Sequence, residues 1–130
     1  MIAGDVIVGF PQETEEDFND TYSLCKECFD MLHVFPYSPR PGTVAAKMDG
    51  QVHPDIKKQR SKVLLDLSKT LYSNYVSRFI DKEVTVLVEK YDEQNELNIG
   101  HTTNYINVKI PTKESKVGEY ITVKLQKDMI

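Results

Sequence analysis

The period of the hydrophobic pattern changes at Asp81, and this change constrains the fold more than any other feature of the sequence. Upstream, apolar side chains recur every three or four positions along a predicted helix at 54–80, which is the spacing of one buried helical face. Downstream, apolar and polar residues alternate from 84 onward, as in half-buried strands. About four or five short strands in this region are typical of a small all-β barrel. The predicted domains are residues 1–80 and 81–130.

The sequence before the long helix predicts a strand–helix–strand unit. A short, apolar, β-branched run at 5–10 lacks polar alternation, which favours a strand covered on both faces, as in a parallel sheet. Thr14 is a suitable N-cap for a helix, and a second apolar run follows at 31–35. The predicted apolar stripe of that helix is Phe18, Tyr22, Cys25 and Phe29. Two strands alone should leave sheet edges and one face unmatched.

The segment 36–43 contains three prolines and a glycine, which excludes a regular element there. It leaves the carboxyl end of the second strand, where ligands collect in parallel sheets. A short helical turn is expected at 44–48, and Pro54 suits the first turn of the long helix. This proline loop is therefore the part of the α/β region best placed to meet a ligand.

The charge of the chain is unevenly distributed. The net charge of −4 weakly disfavours a nucleic-acid partner, yet the predicted long helix carries six bases and two acids. A solvated helix face and a phosphate-facing surface both stay open as explanations. The β region holds seven lysines and nine acids. Any RNA affinity of that region alone should therefore be weak and strongly salt-dependent.

Cys25 and Cys28 have the spacing of a metal-ligand pair, but one pair supplies two ligands where a closed site needs four. Both lie in or beside the helical stripe, where a free cysteine behaves as a small hydrophobe, so no metal site is predicted. His33 is interpreted as a core histidine in preference to a substrate contact. Neither a signal peptide nor a membrane-spanning run is present, which predicts a cytoplasmic protein without a membrane partner.

Three stretches together resemble the radical-SAM tRNA methylthiotransferases. They are Asp-Val-Ile-Val-Gly-Phe-Pro-Gln-Glu-Thr-Glu-Glu-Asp-Phe at 5–18, the segment 32–48 with Tyr-Ser-Pro-Arg-Pro-Gly-Thr, and Gly-His-Thr-Thr-Asn-Tyr at 100–105. The resemblance covers essentially the whole chain. The third stretch is most similar to the branch that modifies threonylcarbamoyladenosine in tRNA.

The resemblance implies a fold and an activity. The α/β part would be the βαβ end of a partial, TIM-like radical-SAM barrel, and the β part an OB-like TRAM module. The family uses S-adenosylmethionine and two [4Fe–4S] clusters to insert a methylthio group at C2 of a hypermodified adenosine, here N6-threonylcarbamoyladenosine next to the anticodon. One cluster is held by a Cys-x3-Cys-x2-Cys loop that this chain lacks. No catalytic residue is therefore assigned, and the chain alone is expected to be inactive.

The resemblance also implies where S-adenosylmethionine would lie. Apolar side chains would face the flat adenine, and Gly9 would let the backbone approach it. Gln12 stands where the family usually has glycine, so the turn after Pro11 is expected to differ. Arg40 either pairs with a carboxylate or phosphate, or only clamps the loop backbone. The predicted cofactor-binding residues are Ile7, Gly9, Phe10, Pro11, Tyr37, Ser38 and Arg40.

The expected partners are tRNA and the missing N-terminal regions of the same enzyme, and DNA is not expected. Loops of small β-barrels carry RNA contacts, with aromatic rings stacking on bases and amides reading their edges. The bland alternative is an ordinary polar hairpin turn. The predicted RNA-binding residues are Lys82, His101, Asn104, Tyr105 and Lys109. The alternative function is a stand-alone RNA-binding TRAM module without catalysis, or a purely structural domain.

Overall fold

The structure is a computed structural model that describes all 130 residues. They form two compact units, Met1–Asn74 and Tyr75–Ile130, so the division falls six residues before the predicted 80/81 boundary. The earlier division follows from Tyr75 and Phe79, whose rings lie 5.1 Å apart. The Tyr75 hydroxyl also donates to the carbonyl of Asn104 at 3.1 Å, which ties this residue to the β region.

The first unit contains the predicted βαβ arrangement. Its strands are β1 (Ala3–Val8) and β2 (Met31–Pro36), which pair in parallel from Ala3 opposite Met31 to Val8 opposite Pro36. Helix α1 (Glu15–Cys28) connects them. A short helix α2 (Val44–Lys47) and the long helix α3 (Pro54–Ser77) follow. Helix α3 ends three residues before the predicted position.

Thr14 caps α1 as predicted. Its hydroxyl accepts from the Asp17 amide at 3.1 Å, while the Asp17 carboxylate accepts from the Thr14 amide at 2.8 Å, which completes a capping box. The hydrogen bonds from the Thr14 backbone and hydroxyl hold the pKa of Asp17 below its usual value. The sequence signal for this helix start was local and therefore reliable.

The core of the first unit lies on one face of the β1–β2 pair. Both helices pack on the face that carries Val8 and Leu32, so the other face is uncovered. Ile7 is 57% and Phe35 is 52% exposed on that open face. The prediction of a strand covered on both faces is therefore wrong for this chain. The buried core residues are Val8, Phe18, Cys25, Leu32, Leu64, Leu67 and Leu71.

His33 is exposed, and it lies opposite Asp5 on the open face of the strand pair, so its interpretation as a core histidine is also wrong. The outer edge of β2 is partly covered by a side chain of α3. The Ser68 hydroxyl accepts from the Leu32 amide at 2.9 Å and donates to the Leu32 carbonyl at 3.0 Å. Ser68 thus makes the two hydrogen bonds that a neighbouring strand would make at this residue.

The second unit is a four-stranded antiparallel sheet. Its strands are β3 (Glu83–Asp92), β4 (Leu97–Thr102), β5 (Asn107–Pro111) and β6 (Tyr120–Lys124), in the order β5-β4-β3-β6. A 3₁₀ turn at Lys127–Met129 follows β6 and lies against β5, the strand at the opposite edge. The sheet therefore curls toward closure, which agrees with the small β-barrel architecture predicted for this region.

One face of this sheet is buried. Val84, Val86, Val88 and Val108 point to the interior, and the turn residue Ile106 is also fully buried. A β-bulge at Glu89 interrupts the pairing of β3 with β4. No helix of the chain is both long enough and apolar enough to cross a membrane.

Candidate nucleic-acid interface

A row of four side chains crosses the solvent-facing side of the second unit. Tyr120 of β6 lies opposite Leu87 of β3, Leu87 lies opposite His101 of β4, and His101 lies opposite Asn107 of β5. Directly paired residues of antiparallel strands point to the same face of a sheet. The four side chains therefore share one surface, on the side away from the valine core.

A cleft of about 340 Å³ opens on this surface. Tyr105 is 72% and Tyr120 is 69% exposed beside it, and Leu87 supplies an apolar wall. The His101 ring nitrogen Nδ1 and the Glu89 carboxylate lie 2.6 Å apart within it. Two aromatic rings with hydrogen-bonding groups beside them are the chemistry that holds an unpaired nucleobase. The lining residues are Leu87, Glu89, His101, Thr102, Thr103, Tyr105 and Tyr120.

Tyr105 adopts a backbone conformation that side chains of its size rarely take, with φ of 67°. Such a conformation costs about 1–2 kcal/mol, and it persists only where the surroundings determine it fully. The Tyr105 amide donates to the Thr102 carbonyl at 2.9 Å, and the Ile106 amide donates to the Thr102 hydroxyl at 2.9 Å. The turn thus holds the Tyr105 ring exposed at the edge of the cleft.

Asn104 of the same turn has an internal role. Its side-chain amide donates to the Tyr75 hydroxyl at 3.0 Å, and its side-chain oxygen accepts from the Thr102 hydroxyl at 2.6 Å. Both ends of the amide are therefore engaged in shaping the turn. A direct Asn104–RNA contact stays a prediction, since it would have to share these groups.

The predicted lysines fall in two places. Lys109 lies opposite Ile99, and Lys90 lies opposite Ile99 from the other side, so both share the face that carries His101. Lys90 was missed by the sequence analysis, because the bulge at Glu89 moves it to the outer face. The Lys82 ammonium lies 5.6 Å above the ring of Phe79, away from the residues that line the cleft.

The β3–β4 hairpin turn carries the opposite charge. Asp92, Glu93 and Glu96 lie at this end of the two strands, whereas Leu87 and His101 of the cleft lie toward the other. The side-chain hydrogen bond from Asn95 lowers the pKa of Asp92. The acidic hairpin is therefore a less favourable surface for a polyanion than the end of the sheet that carries the cleft.

The residues predicted to contact S-adenosylmethionine do not all come together in the first unit. Phe10 and Tyr37 meet edge to face, with ring centroids 5.3 Å apart. Ile7 lies on the open sheet face beside Phe35, while Pro11 is buried. Ser38 and Arg40 are exposed in the proline loop. The Arg40 guanidinium makes no hydrogen bond within the chain, so it does not clamp the loop backbone.

Gly9 and Gln12 shape the turn after β1. Gly9 has φ of 73°, and a Cβ atom there would overlap Cγ of Lys57. Packing against Lys57 is therefore sufficient to explain why residue 9 is a glycine. Gln12 also has a positive φ of 71°, and its amide donates to the Gly50 carbonyl at 2.7 Å. The turn thus keeps a conformation that glycine favours despite the side chain.

Arg60 is the most engaged polar residue of the first unit, and the sequence analysis counted it only among the bases of the helix. Its guanidinium lies 2.6 Å from the Glu13 carboxylate and 3.1 Å from that of Glu15. Arg60 is only 6% exposed. The Glu13 carboxylate also accepts from the Gly9 amide at 2.9 Å, so Arg60 fixes the segment between β1 and α1 onto α3.

The two cysteines do not fit an iron–sulfur cluster. Cys25 is buried and Cys28 is exposed on α1. Burial, with a smaller effect of Cys28, raises the pKa of the Cys25 thiol and disfavours the thiolate that binds metals. No group of three or more histidine, cysteine or acidic side chains is arranged to hold a metal ion. Two thiols are too few for the cysteine sets that hold such clusters.

Comparison with known proteins gives two kinds of match. Residues 78–129 match the TRAM domain family. The chain is 41% identical over 130 residues to the threonylcarbamoyladenosine tRNA methylthiotransferase MtaB of Bacillus subtilis, which covers 97% of the chain and 29% of that protein. It is 40% identical over 124 residues to the tRNA-2-methylthio-N(6)-dimethylallyladenosine synthase of Aquifex aeolicus, covering 95% of the chain and 28% of that protein.

The MtaB protein of Thermotoga maritima is 40% identical over 126 residues, which covers 96% of the chain and 28% of the relative. The chain thus spans less than a third of the length of these relatives. Nearly the whole chain aligns both with the MtaB proteins and with the dimethylallyladenosine synthase. The chain therefore belongs to the tRNA methylthiotransferase family, of which it represents the C-terminal part with its TRAM domain.

Proposed function

We propose that this chain is the RNA-holding, C-terminal part of a cytoplasmic tRNA methylthiotransferase, and that the cleft of the second unit accepts one unpaired base of the tRNA. The observation that carries the proposal is Tyr105, which is held exposed in a strained conformation next to Tyr120 and the His101–Glu89 pair. An exposed aromatic ring kept in place at an energetic cost is better explained by a binding role than by packing.

For the substrate, we infer N6-threonylcarbamoyladenosine next to the anticodon, with the methylthio group added at C2. The segment 100–105, which resembles that branch of the family, supplies His101, Thr102, Thr103 and Tyr105 to the cleft. Two of the relatives carry the corresponding name. Liquid chromatography with mass spectrometry of tRNA nucleosides, from cells with and without the gene, distinguishes this substrate from dimethylallyladenosine.

The first unit would contribute one wall of the S-adenosylmethionine site. Ile7 and Phe35 present adjacent apolar side chains on the open sheet face, and they would cover a flat adenine. Arg40 is exposed and free to pair with a carboxylate. When bound with an iron–sulfur cluster, S-adenosylmethionine supplies the radical of this reaction class. The chain itself only binds and orients, since its two cysteines do not fit the cluster.

Replacing Tyr105 with alanine should weaken binding of a tRNA anticodon stem-loop by about 5- to 150-fold. This range corresponds to the roughly 1–3 kcal/mol that one stacked base contributes. Fluorescence anisotropy with a labelled stem-loop at low salt measures the effect. Tyr120→Ala should act in the same direction.

Tyr105→Phe is the matched control, because it keeps the ring and removes only the hydroxyl. It should bind within a factor of about two of the original chain, as expected when stacking dominates. Unchanged binding by both alanine variants, with the fold intact by circular dichroism, would rule out the cleft as an RNA site.

The 130-residue chain alone should generate no 5′-deoxyadenosine from S-adenosylmethionine. Reconstitution with iron and sulfide under anaerobic conditions, followed by chromatography, is the measurement. The expected failure follows from the two cysteines, which are too few and include one buried thiol. Product formation at a rate above that of a Cys25→Ala/Cys28→Ala variant would contradict the prediction that this chain cannot hold the cluster.

The alternative function is a stand-alone RNA-binding module without catalysis. Both functions use the cleft to bind RNA. They differ in whether the chain is joined to the catalytic part of an enzyme. An in-frame Cys-x3-Cys-x2-Cys motif in the coding sequence upstream of Met1 supports the enzyme. A promoter and ribosome-binding site directly before Met1 support the module.

A further inference from the structure

A second concave surface, entirely within the first unit, lies between the end of β2 and one exposed face of α3. This lysine groove has a volume of about 710 Å³. Val34 and Leu65 give it apolar walls, and four lysines of α3 surround it, with Asp66 as the one acidic lining residue. The four lysines are Lys57, Lys58, Lys62 and Lys69.

The charge in the lysine groove is poorly balanced. Lys69 pairs with Asp66 at 3.2 Å, but both side chains are more than half exposed, so the pair is weak. Lys57 donates to the Tyr37 carbonyl at 3.1 Å and lies 5.2 Å from the centre of its ring, which fixes its position without neutralising it. Lys58 and Lys62 make no ion pair. Three positive charges therefore stay uncompensated on a chain whose net charge is −4.

Not every base of the stretch 54–80 contributes to this surface. Arg60 points inward to Glu13 and Glu15, and the Arg78 guanidinium lies over the ring of Tyr75 in the other unit. The structure thus sorts the basic stretch of the sequence into structural residues and four that share one groove. Such sorting favours a binding surface over a generally solvated helix face.

The spacing of the lysines along α3 suits a chain of phosphates. Lys58 and Lys62 are one helical turn apart, a rise of about 6 Å, which is comparable to the separation of successive phosphates along a strand. Tyr37 and Ser61 are lining residues, but their hydroxyl oxygens are buried beneath the surface without a hydrogen-bond partner. The contacts to phosphate would therefore come from the lysine ammonium groups.

We propose that the lysine groove binds the phosphodiester backbone of the substrate RNA, as a contact separate from the base-binding cleft. The inference rests on the proposed function, since it assumes that RNA is the substrate. Cations placed in a row along a helix fit an extended polyanion better than a single small anion, which needs converging donors. Contacts to phosphate position an RNA without reading its sequence. The groove should therefore contribute affinity and salt dependence, not specificity.

The test replaces Lys58 and Lys62 together with glutamine and measures stem-loop binding across a salt series. The slope of log affinity against log salt should become shallower by about 1.4 to 1.8, for two lost phosphate contacts. If the variant and the original chain bind equally at 1 M salt, this difference in slope makes the variant bind about 25-fold more weakly, or more, at 0.1 M salt. The loss should be equal for the stem-loop and for a scrambled RNA of the same length.

Lys26→Gln/Lys47→Gln is the matched control, because these exposed lysines lie outside the groove and the change in net charge is the same. It should leave the slope unchanged. An unchanged slope in the Lys58/Lys62 variant, or an equal change in the control, would overturn the proposal. Both variants alter exposed side chains, so their melting curves by circular dichroism should match that of the original chain.

The same series separates this inference from the proposed function. If the original chain binds no RNA at low salt, both proposals fail. If Tyr105→Ala weakens binding and the Lys58/Lys62 variant does not, only the groove fails. The reverse pattern would remove the cleft and leave the groove as the RNA contact.

Discussion

Gly100→Ala is expected to unfold the second unit and to remove the part of RNA binding that we propose for its cleft. A Cβ atom at this position would overlap the Leu87 carbonyl oxygen and lie 3.0 Å from the Val88 Cα atom. These are backbone atoms of the neighbouring strand, so no side-chain rotation relieves the overlap, and β3 and β4 would have to separate. Overpacking a core usually costs about 1–3 kcal/mol, and a clash with backbone should exceed that range. Because Leu87 and His101 lie beside this contact, the cleft would be lost too.

Gly118→Ala is the matched control for Gly100→Ala. Gly118 has a φ of 85°, but a Cβ atom there would meet nothing within 4 Å. The substitution should therefore cost only the conformational strain, about 1–2 kcal/mol. Urea unfolding followed by circular dichroism compares the two variants. A Gly100→Ala protein that unfolds at the same urea concentration as the original chain would mean that β3 and β4 are not as close as described.

Arg60→Ala should lower the free energy of unfolding of the first unit by about 3–5 kcal/mol, the range for breaking one side of a buried ion pair. The change would leave the Glu13 carboxylate, whose side chain is 10% exposed, without its cation. It would also free the segment between β1 and α1 from α3. Arg60→Lys should recover only part of the loss, because a single ammonium does not reach two carboxylates as a guanidinium does.

Lys69→Ala is the control for the Arg60 experiment. Lys69 also pairs with an acid on α3 itself, at 3.2 Å, but its side chain is 80% exposed. Removing an exposed pair typically changes stability by about 0–1 kcal/mol. Equal effects of the two substitutions would show that the Arg60 pair is not buried. Hydrogen exchange of the Gly9 amide reports locally, because this amide donates to Glu13.

Local signals in the sequence predicted much of the fold. The Thr14 cap, the stripe from Phe18 to Phe29 and the alternation from Val84 each depend on neighbouring residues. The resemblance named Tyr105 and His101 as RNA-binding residues, and both line the cleft, although their contact with RNA stays a prediction. Patterns of this kind need no knowledge of which distant segments meet.

Features that depend on distant contacts were missed for physical reasons. Simple alternation places Lys90 with Val88 in the core, and only the bulge at Glu89 turns it outward. The buried position of Arg60 depends on a carboxylate 47 residues away, which no local pattern reveals. Ile7 and Phe35 are exposed because α1 and α3 cover the same side of the strand pair. The local sequence of a strand does not reveal on which of its faces the helices pack.

The two hydrogen bonds between Ser68 and Leu32 determine at which edge a further strand could join the parallel strand pair. At Leu32 the outer edge of β2 already has both backbone groups satisfied by a helix side chain, so another strand added there would have to displace Ser68. No strand pairs with the outer edge of β1. A further strand would therefore join the sheet at β1. At the other edge, α3 covers β2 and protects it from strand exchange and aggregation.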